Sequence, residues 1–495
     1  MGLAIEREDF SPEDYRRFSQ RLSENLEALR RVLSRPGFGT GPRTVGAELE
    51  MFLVDSAGFP LPVNRQVLSQ TVDPRVTLEL DRFNLECNLR PSSLAGRPFT
   101  ALRKEFEDAL REVRRAAATQ GAQVVVTGIL PTLREKDLGS HALTGKPRYR
   151  ALSAAIRSRR GDAPFQVAIA GEDSLSLTWD DVTLEGANTS LQFHLRVEPS
   201  EFARMYNAAQ FVTAPVLAVS TNSPFFLGRR LWDETRVALF RQAVDDRGES
   251  HEGAGSHARV TFGHGWAREG ALELFAEAVA LHAPLLPVVG PESPLECVAR
   301  GQLPGLDELR LHQSTIWNWN RAIYDPKSGG HLRIEFRALP AGPTVVDMVA
   351  NGALLLGLTL GLADQMDALL PAMPFHWARG NFLKAAQQGM DAELLWPSET
   401  APSPQRVPVT ELVPRLLPIA RRGLVEAGVE ASDADAMLDI IAARVASRRS
   451  GAGWQRRVLT KLEEHLPRQD ALAALLERYR EHADSGAPVH QWPLD

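Results

Sequence analysis

The sequence predicts an α+β fold built on an antiparallel sheet with one apolar and one polar face. Two observations lead to this prediction. Several short segments alternate strictly between apolar and polar residues, as strands do when successive side chains point to opposite sides of a sheet. Between them lie longer segments whose apolar residues recur at helical spacing.

Three segments predict long helices. Residues 11–33 begin with Ser-Pro-Glu-Asp, in which serine suits the cap, proline the first turn and the acids the positive end of the helix. Residues 98–120 and 344–370 carry apolar residues at helical spacing. The segment QVVVTGI, residues 123–129, is typical of a strand.

The C-terminal part of the chain has a different character. After about residue 380 the pattern is helical, with proline-rich breaks at residues 397–417. We therefore predict a core over residues 1–380 and a helical C-terminal extension, packed on the core, over residues 381–495. Within the extension, Ser432 and Asp435 are spaced like a capping pair at the start of a helix.

Composition and charge exclude several classes of protein. The 495 residues are 44% hydrophobic and 24% charged, which is ordinary for a globular protein. The net charge of -6 argues against nucleic acid as a partner, because phosphate-binding proteins usually carry a basic surplus. Two cysteines, Cys87 and Cys297, are too few for a disulfide framework or a cysteine-rich zinc site.

The cellular location follows from the cysteine content and from apolar segments. Few cysteines fit a reducing compartment, and the N-terminus has no apolar core of signal-peptide length. The longest apolar stretch, residues 345–363, contains Asp347 and Asn351, so we predict a buried helix and no membrane contact. We expect a cytoplasmic protein. No pattern sets its oligomeric state, and a homo-oligomer is compatible with the sequence.

The polar faces of five alternating segments carry an unusual set of side chains. The segments are residues 45–53, 76–80, 83–89, 190–197 and 331–337. Their charged and imidazole side chains are Glu48, Glu50, Glu79, Glu86, Glu335, His194, His331, Arg196, Arg333 and Arg337. A face in water explains any one strand, but such a face usually mixes lysine with serine, threonine and glutamate, and lysine is missing here.

This set of side chains suits metal and phosphate chemistry. Carboxylates on facing strands repel one another unless a cation or a substrate neutralises them. Carboxylate oxygens with an imidazole suit Mg²⁺ or Mn²⁺. The guanidinium fork of arginine binds phosphate or carboxylate in bidentate fashion. Because the sequence lacks a Walker A loop, we expect ATP to be held by the sheet and its metal ions.

Two further segments are candidates for the same site. Residues 314–324, a turn-rich DPKSGG sequence and residues 331–337 predict a β-hairpin with Asn318 and Asn320 on the polar side and Arg321 near the strand end. Residues 255–266 are glycine-rich, and we interpret them as a mobile loop that holds a substrate anion through Arg259. A packed hairpin and an ordinary surface loop are the simpler alternatives.

The order of these segments resembles the second, plant- and bacterial-type group of the glutamate–cysteine ligase family, within the glutamine-synthetase-like superfamily. The resemblance rests on short motifs in the right order. They are GAELE at residues 46–50, TLE at 77–79, ECN at 86–88, the strand with His194, RIEFR at 333–337, PTV at 343–345 and GAGWQ at 451–455. A fold with a curved, mostly antiparallel sheet backed by helices is what this resemblance implies.

The resemblance also implies a reaction and a set of roles. Mg²⁺ ions would be held by Glu48, Glu50, Glu79, Glu86, His194 and Glu335, between the ATP phosphates and a carboxylate substrate. Arg333 and Arg337 would stabilise the transferred phosphoryl group, with Glu335 beside them. The chain would join glutamate or a similar carboxylate to an amine through an acyl phosphate. Cys87 falls on the apolar face, so we expect a buried thiol.

Three questions stay open at this point. No motif identifies the amine. A guanidino phosphotransferase shares the acidic sheet, although it usually needs a reactive cysteine. A non-catalytic sensor of ATP or amino acids is the other alternative, although binding alone would not require a complete set of metal ligands.

Overall fold

Strands and helices alternate irregularly along the chain. The computed structural model describes residue 3 and residues 5–248, 257–398 and 403–494. The strands are β1 (Thr44–Val54), β2 (Val76–Leu78), β3 (Asn84–Asn88), β4 (Ser92–Ser93), β5 (Gln123–Val125), β6 (Phe165–Ala170), β7 (Ser174–Trp179), β8 (Leu191–Val197), β9 (Phe225–Phe226), β10 (Arg229–Arg230), β11 (Val260–Thr261), β12 (Trp317–Asn318), β13 (Asn320–Asp325), β14 (His331–Phe336), β15 (Glu393–Trp396) and β16 (Gln405–Pro408). The helices are α1 (Pro12–Leu33), α2 (Asn64–Gln70), α3 (Pro98–Ala118), α4 (Pro147–Arg159), α5 (Thr183–Gly186), α6 (Phe202–Ser220), α7 (Thr235–Ala243), α8 (Ala271–Leu281), α9 (Pro294–Ala299), α10 (Asp307–Gln313), α11 (Val345–Leu362), α12 (Met366–Leu369), α13 (Phe375–Gln388), α14 (Val409–Glu426), α15 (Ala431–Ser447), α16 (Gly451–Glu463) and α17 (Arg468–Ser485).

The central feature is an eight-stranded sheet whose paired strands all run antiparallel. Six strands lie side by side in the order β13-β14-β8-β1-β3-β2, while β4 and β5 pair with β1. The five alternating segments are neighbours in this sheet, and β13 and β14 form the predicted hairpin. The α+β fold with a mostly antiparallel sheet is confirmed.

The strand register brings the polar residues to one side, which we call the polar face. Glu50 on β1 lies opposite Glu86 on β3, and Glu335 on β14 lies opposite His194 on β8. Residues directly opposite each other in an antiparallel pair point to the same side of the sheet. This strand register therefore places acidic residues from separate parts of the chain next to one another on the polar face.

The other side of the sheet is apolar and is covered by helices. Leu49, Leu195 and Ile334 are fully buried there, and α3, α6 and α11 contact β1, β13 and β8 respectively. Gly352 of α11 lies against the Phe193 ring, where an added Cβ would come within 2.2 Å of the ring. A glycine is therefore required for α11 to approach β8 this closely.

The three predicted helices form, with differences at their ends. α1 begins at Pro12 and is capped by Ser11, whose side chain makes a reciprocal capping box with Asp14. α11 ends at Leu362 and is followed by the short α12, so the predicted helix over residues 344–370 is interrupted. The strand predicted over residues 123–129 is shorter, because β5 ends at Val125 where its pairing with β1 ends.

Within the described parts of the chain, one helical stretch is long and apolar enough to cross a membrane. It runs from Val345 to Ala372 with a mean hydropathy of 1.8, and 83% of its most apolar window is buried inside the protein. The stretch contains α11, which packs on the sheet and on α14.

The C-terminal helices pack directly on the core helices through a buried ion pair. Arg444 of α15 donates from Nη2 to Asp347 Oδ1 of α11 at 2.8 Å, and both side chains are almost fully buried. Asp347 Oδ2 also accepts from the Val489 amide at 2.9 Å. The boundary predicted at residue 380 falls within α13, and the division into core and extension stays a prediction.

The predicted capping pair of Ser432 and Asp435 is wrong. Asp435 instead makes an exposed ion pair with Arg421. The intervening Asp433 caps a different helix, because its carboxylate accepts the Phe99 amide at 2.9 Å and the Thr100 amide at 3.1 Å at the start of α3. A residue far along the chain satisfies amides that the local sequence leaves open.

Substituting Asp433 with alanine should lower the free energy of unfolding by about 1–2 kcal/mol, because the first amides of α3 lose their cap. The measurement is urea unfolding of the full chain, monitored by circular dichroism. The matched control is Asp435→Ala on the same helix, whose exposed ion pair should contribute little. Equal losses in the two variants would contradict the assignment of Asp433 as the cap.

Candidate active site

Three side chains of types that can ligate a metal ion meet on adjacent strands of the polar face. Glu48 comes from β1, His194 from β8 and Glu335 from β14. His194 Nε2 lies 2.9 Å from Glu48 Oε1 and 3.9 Å from Glu335 Oε1. One ligand atom from each residue lies within 4.8 Å of the others, a spacing that one metal ion can bridge.

Arginines surround this group of ligands. Arg321 of β13 donates two hydrogen bonds to Glu335, from Nε to Oε2 at 2.6 Å and from Nη2 to Oε1 at 3.1 Å. Arg337 Nη1 lies 3.4 Å from Glu335 Oε2 and donates to Gln192 Oε1 at 2.6 Å. Burial alone would raise the pKa of Glu335, but Arg321, Arg337 and His194 outweigh it and hold that pKa far below its usual range.

The orientation of His194 is set by Arg333. Arg333 Nε donates to His194 Nδ1 at 3.1 Å, and its Nη1 pairs with Asp325 Oδ2 at 2.7 Å. A neutral imidazole that accepts at Nδ1 carries its proton on Nε2, which faces Glu48. Burial raises the pKa of Glu48, but the interaction with His194 outweighs burial and lowers it. A metal ion at this place would take over the position of the Nε2 proton.

A second group of carboxylates lies on the β1–β3–β2 half of the polar face. Burial, followed by the charges of Glu48 and Glu50, raises the pKa of Glu86 to about 8. Burial and the charges of Glu86 and Glu50 raise the pKa of Glu79 well above its usual value. Glu185 on α5 belongs to the same half, and burial and Glu50 raise its pKa to about 8.

Hydrogen bonds orient the carboxylates of this second group. Glu50 accepts from the Ser190 amide at 2.6 Å and from Gln192 Nε2 at 3.1 Å. Glu86 Oε2 accepts from Thr77 Oγ1 and from Asn88 Nδ2, both at 3.0 Å. The donor set of oxygens and one imidazole on the whole face fits divalent cations such as Mg²⁺ or Mn²⁺.

The first turn of α4 lies across the polar face. Lys146 Nζ and the Tyr149 hydroxyl each donate to Leu78 O on β2 at 3.1 Å. Between them, Arg148 Nη2 donates to Ser314 Oγ at 2.8 Å, on the side of β13. The turn therefore connects the β2 edge of the sheet to the segment between α10 and β12.

Sequence reasoning missed the residues of this turn and Glu185. The turn carries a readable signal, because Gly-Lys-Pro-Arg-Tyr places two basic residues around a proline that opens a helix. Glu185 gave no signal, since it lies on the four-residue helix α5 rather than on an alternating strand.

The predicted placement of Arg259 is wrong. Its side chain is fully buried, and Nε donates to Asp246 Oδ2 at 2.7 Å while Nη2 donates to Ala283 O at 2.6 Å. A buried guanidinium needs such partners, and they leave Arg259 as a structural ion pair rather than a loop residue that meets substrate. The start of the predicted loop, residues 255–256, lies outside the described residues.

The predicted placement of Asn320 is also wrong. It is 1% exposed and donates through Nδ2 to Gln210 Oε1 and Thr213 Oγ1 of α6, on the helix side of the sheet. The cause is a bend at Trp319 between β12 and β13, which shifts the alternation by one residue. The same shift turns Arg321 towards Glu335 on the polar face.

The remaining predicted residues stay predictions as to their role. Arg196 lies two residues beyond His194, where its Nη2 donates to Thr40 O at 2.7 Å. Asn318 belongs to β12, which pairs with β11 outside the central sheet. His331 ends the β13–β14 pairing opposite Asp325.

Comparison with known families and structures identifies the chain. The sequence profile of glutamate–cysteine ligase family 2 (GCS2) matches residues 44–481. The chain belongs to this family. The match covers all strands of the central sheet and most of the C-terminal helices. A comparison with curated proteins gives no match.

A solved structure supports the fold of this GCS2 protein. The glutamate–cysteine ligase of Francisella tularensis, solved in complex with AMP, is 9% identical with a TM-score of 0.55, covering 92% of this chain and 91% of that chain. A bifunctional glutathione synthetase from Pasteurella multocida is 12% identical with a TM-score of 0.44, covering 95% of this chain and 55% of that chain. Family membership makes this chain an ATP-dependent carboxylate–amine ligase in broad class.

The second carboxylate group predicts a stability that depends on pH and on metal. The pKa of Glu86 rises from 4.5 to about 8, so the folded state holds this proton more tightly than the unfolded state. In the absence of metal, stability should therefore fall as pH rises from about 4.5 to about 8. In EDTA, the melting temperature of Glu86→Gln should decrease less across this pH range than that of the wild type.

Differential scanning fluorimetry with and without Mg²⁺ checks this expectation. At pH 8 the wild type should gain melting temperature with Mg²⁺, because a ligand that binds the folded state stabilises it, and Glu86→Gln should gain less. Glu464→Gln, an exposed carboxylate after α16, serves as the control and should match the wild type. An equal Mg²⁺ response in all three proteins would contradict a cation site on this face.

Proposed function

We propose that this chain activates the γ-carboxylate of glutamate with ATP and joins it to an amine, forming a γ-glutamyl amide. The observation that carries the proposal is the pairing of two carboxylate groups with three arginines on one face of the sheet. Glu335 is the central residue of this arrangement. Its Oε1 lies 3.9 Å from His194 Nε2, and its Oε2 accepts a hydrogen bond from Arg321. Such a face suits the transfer of a phosphoryl group between two anions.

The residues of the polar face would hold Mg²⁺ at two places. Glu48, His194 and Glu335 supply the donors of the first place, and Glu50, Glu79 and Glu86 those of the second. Bound Mg²⁺ would offset the negative charge of the ATP phosphates and polarise the phosphoryl oxygens. The AMP in the Francisella tularensis structure is in keeping with a nucleotide on this fold.

The arginines would act on the phosphoryl group itself. Arg333 lies on β14 and Arg337 directly follows it, so the two arginines flank Glu335 in the chain, and each keeps a partner that fixes its direction. Guanidinium groups held in this way stabilise charge that develops on the phosphoryl oxygens without further reorganisation. Arg321 keeps Glu335 ionised and is proposed as an additional contact to the nucleotide.

The chemistry needs no nucleophile from the protein. A carboxylate oxygen of the substrate attacks the γ-phosphorus of ATP, the bond to ADP breaks, and an acyl phosphate forms. The amine, after losing a proton, attacks the acyl carbon, and inorganic phosphate leaves. Phosphate is a far better leaving group than the oxide of a free carboxylate, which is the reason for spending ATP.

The state of the cysteines argues against a guanidino phosphotransferase. Cys87 lies on the apolar side of β3, and burial raises its pKa to about 12, so it does not form a reactive thiolate. Both cysteines are free, which fits the cytoplasmic location that we propose, where ATP is available and thiols stay reduced.

The test measures ADP release from ATP and Mg²⁺ with glutamate, with and without a panel of amines that includes cysteine. Release should depend on the amine, and mass spectrometry should identify a γ-glutamyl product. Glu335→Gln and Glu50→Gln should each lower kcat at least ~1000-fold by removing metal ligands and transition-state charge, while folding cooperatively.

The control is Glu464→Gln, which should keep wild-type turnover. ADP release without any amine-dependent increase, together with tight ATP binding, would contradict the ligase and favour a sensor. Loss of cooperative unfolding in Glu335→Gln would instead indicate that the polar face is a structural network.

A further inference from the structure

A cavity of about 390 Å³ lies where the C-terminal helix α17 meets the helices behind the central sheet. Its walls come from α3, β5, the start of α11 and the end of α17. Val124 of β5 lies opposite Leu53 of β1, which points away from the polar face, so the cavity is on the helix side of the sheet. Its volume falls in the range of about 300–1,000 Å³ that small-molecule sites occupy.

The buried part of the cavity is apolar. It is formed by five side chains, each at most 8% exposed: Leu110, Val124, Val126, Val346 and Met348. Apolar walls favour a ligand with an apolar body, because the contact removes apolar surface from water. An inorganic ion would leave these walls in contact with water.

The exposed part of the cavity is positively charged, in a chain whose net charge is -6. Four arginines and two acids line it, which leaves a surplus of two positive charges: Arg103, Arg111, Arg114, Arg480, Glu107 and Asp484. Both acids are already paired, Glu107 with Arg103 at 2.7 Å and Asp484 with Arg114 at 2.8 Å. The surplus therefore favours an anion.

Arg480 is the arginine best placed to bind this anion. It is half-buried, and among the described residues it has no ion pair. The preceding residue, Tyr479, donates from its hydroxyl to Val126 O at 2.9 Å, which fixes this turn of α17 against the segment that follows β5. Val345 and Val346, the first two residues of α11, also line the cavity, and the first amides of a helix add to the attraction for a negative group.

We propose that this cavity binds a small organic anion, with its charged group at Arg480 and its apolar body between β5 and α11. The shared chemistry of such ligands is a carboxylate, a sulfonate or a phosphate ester on an apolar body. The cavity is on the opposite side of the sheet from the polar face, so its ligand should not compete with ATP. The inference goes beyond the proposed ligase activity and does not depend on it.

The experiment compares the fluorescent anion anilinonaphthalene sulfonate (ANS) with phenylnaphthylamine, a neutral dye that lacks only the sulfonate. Both are titrated into the full chain with Mg²⁺ and a non-hydrolysable ATP analogue present. The wild type should bind ANS at a single saturable site, about tenfold more tightly than the neutral dye, because a hydrogen bond to a charged group contributes about that much. In Arg480→Glu the affinity for ANS should fall about 10- to 100-fold, while that for the neutral dye should change less than about threefold.

The matched control is Arg478→Glu, which changes the net charge equally on the same helix but outside the cavity. It should keep the wild-type affinity for both dyes. Ala483→Trp tests the apolar part, because Ala483 lines the cavity and is partly exposed. The indole should fill the cavity and abolish the binding of both dyes while unfolding stays cooperative. This variant carries the test if Arg480→Glu does not fold.

Competition identifies the charged group of the ligand. Octanoate or octyl phosphate should displace ANS, and the stronger competitor indicates which group the site prefers. Inorganic phosphate has the charge without the apolar body and should displace ANS poorly. Displacement by inorganic phosphate at the same concentration would overturn the apolar part of the proposal.

The other contradictory results are equally specific. Equal affinities of the wild type for the two dyes, or equal losses in Arg480→Glu and Arg478→Glu, would overturn the anion site. Displacement of ANS by the ATP analogue would overturn a site separate from the polar face. Undiminished binding of ANS to Ala483→Trp, or no saturable binding to the wild type, would overturn the assignment to this cavity.

Discussion

Mutual repulsion among the carboxylates of the polar face is the constraint on which the rest of the structure depends. One half of the face neutralises its charge with protein groups, because Arg321, Arg337 and His194 hold Glu335 ionised. The other half does not, and burial with neighbouring charges raises the pKa values of Glu79 and Glu86. A cation is the simplest partner that satisfies this second half. The apolar packing behind the sheet, including Gly352 against Phe193, keeps the strands in the register that brings these acids together.

The sequence alone was sufficient for five strands of the central sheet, β1, β2, β3, β8 and β14, and for which of their side chains lie on the polar face. Alternation has a period of two, so Glu48, Glu50, His194 and Glu335 fall on one face in any register that buries their apolar neighbours. The capping box of α1 was readable because all of its groups lie within four residues. The family resemblance then predicted that these separate strands form one site. Several short motifs in the right order identify a fold that no single motif identifies.

The missed features all depend on contacts between distant parts of the chain. The bend at Trp319 reverses the side on which Asn320 lies, and alternation gives no sign of a bend. Arg259 looked like a loop residue because its partner Asp246 is neither adjacent nor on a repeating pattern. The basic turn with Arg148 can be read in the sequence, but its position is known only from the fold, which brings Leu78 and Ser314 within reach of one helical turn. Tertiary structure, rather than local propensity, decides each of these cases.

The most direct test of the account is anomalous diffraction from crystals of the protein grown with Mn²⁺ and a non-hydrolysable ATP analogue. The account predicts one anomalous peak among Glu48, His194 and Glu335 and another among Glu50, Glu79 and Glu86. The phosphates should lie between these two peaks and the side chains of Arg333 and Arg337. Nucleotide density on this face without either peak, or Mn²⁺ bound elsewhere on the chain, would contradict it.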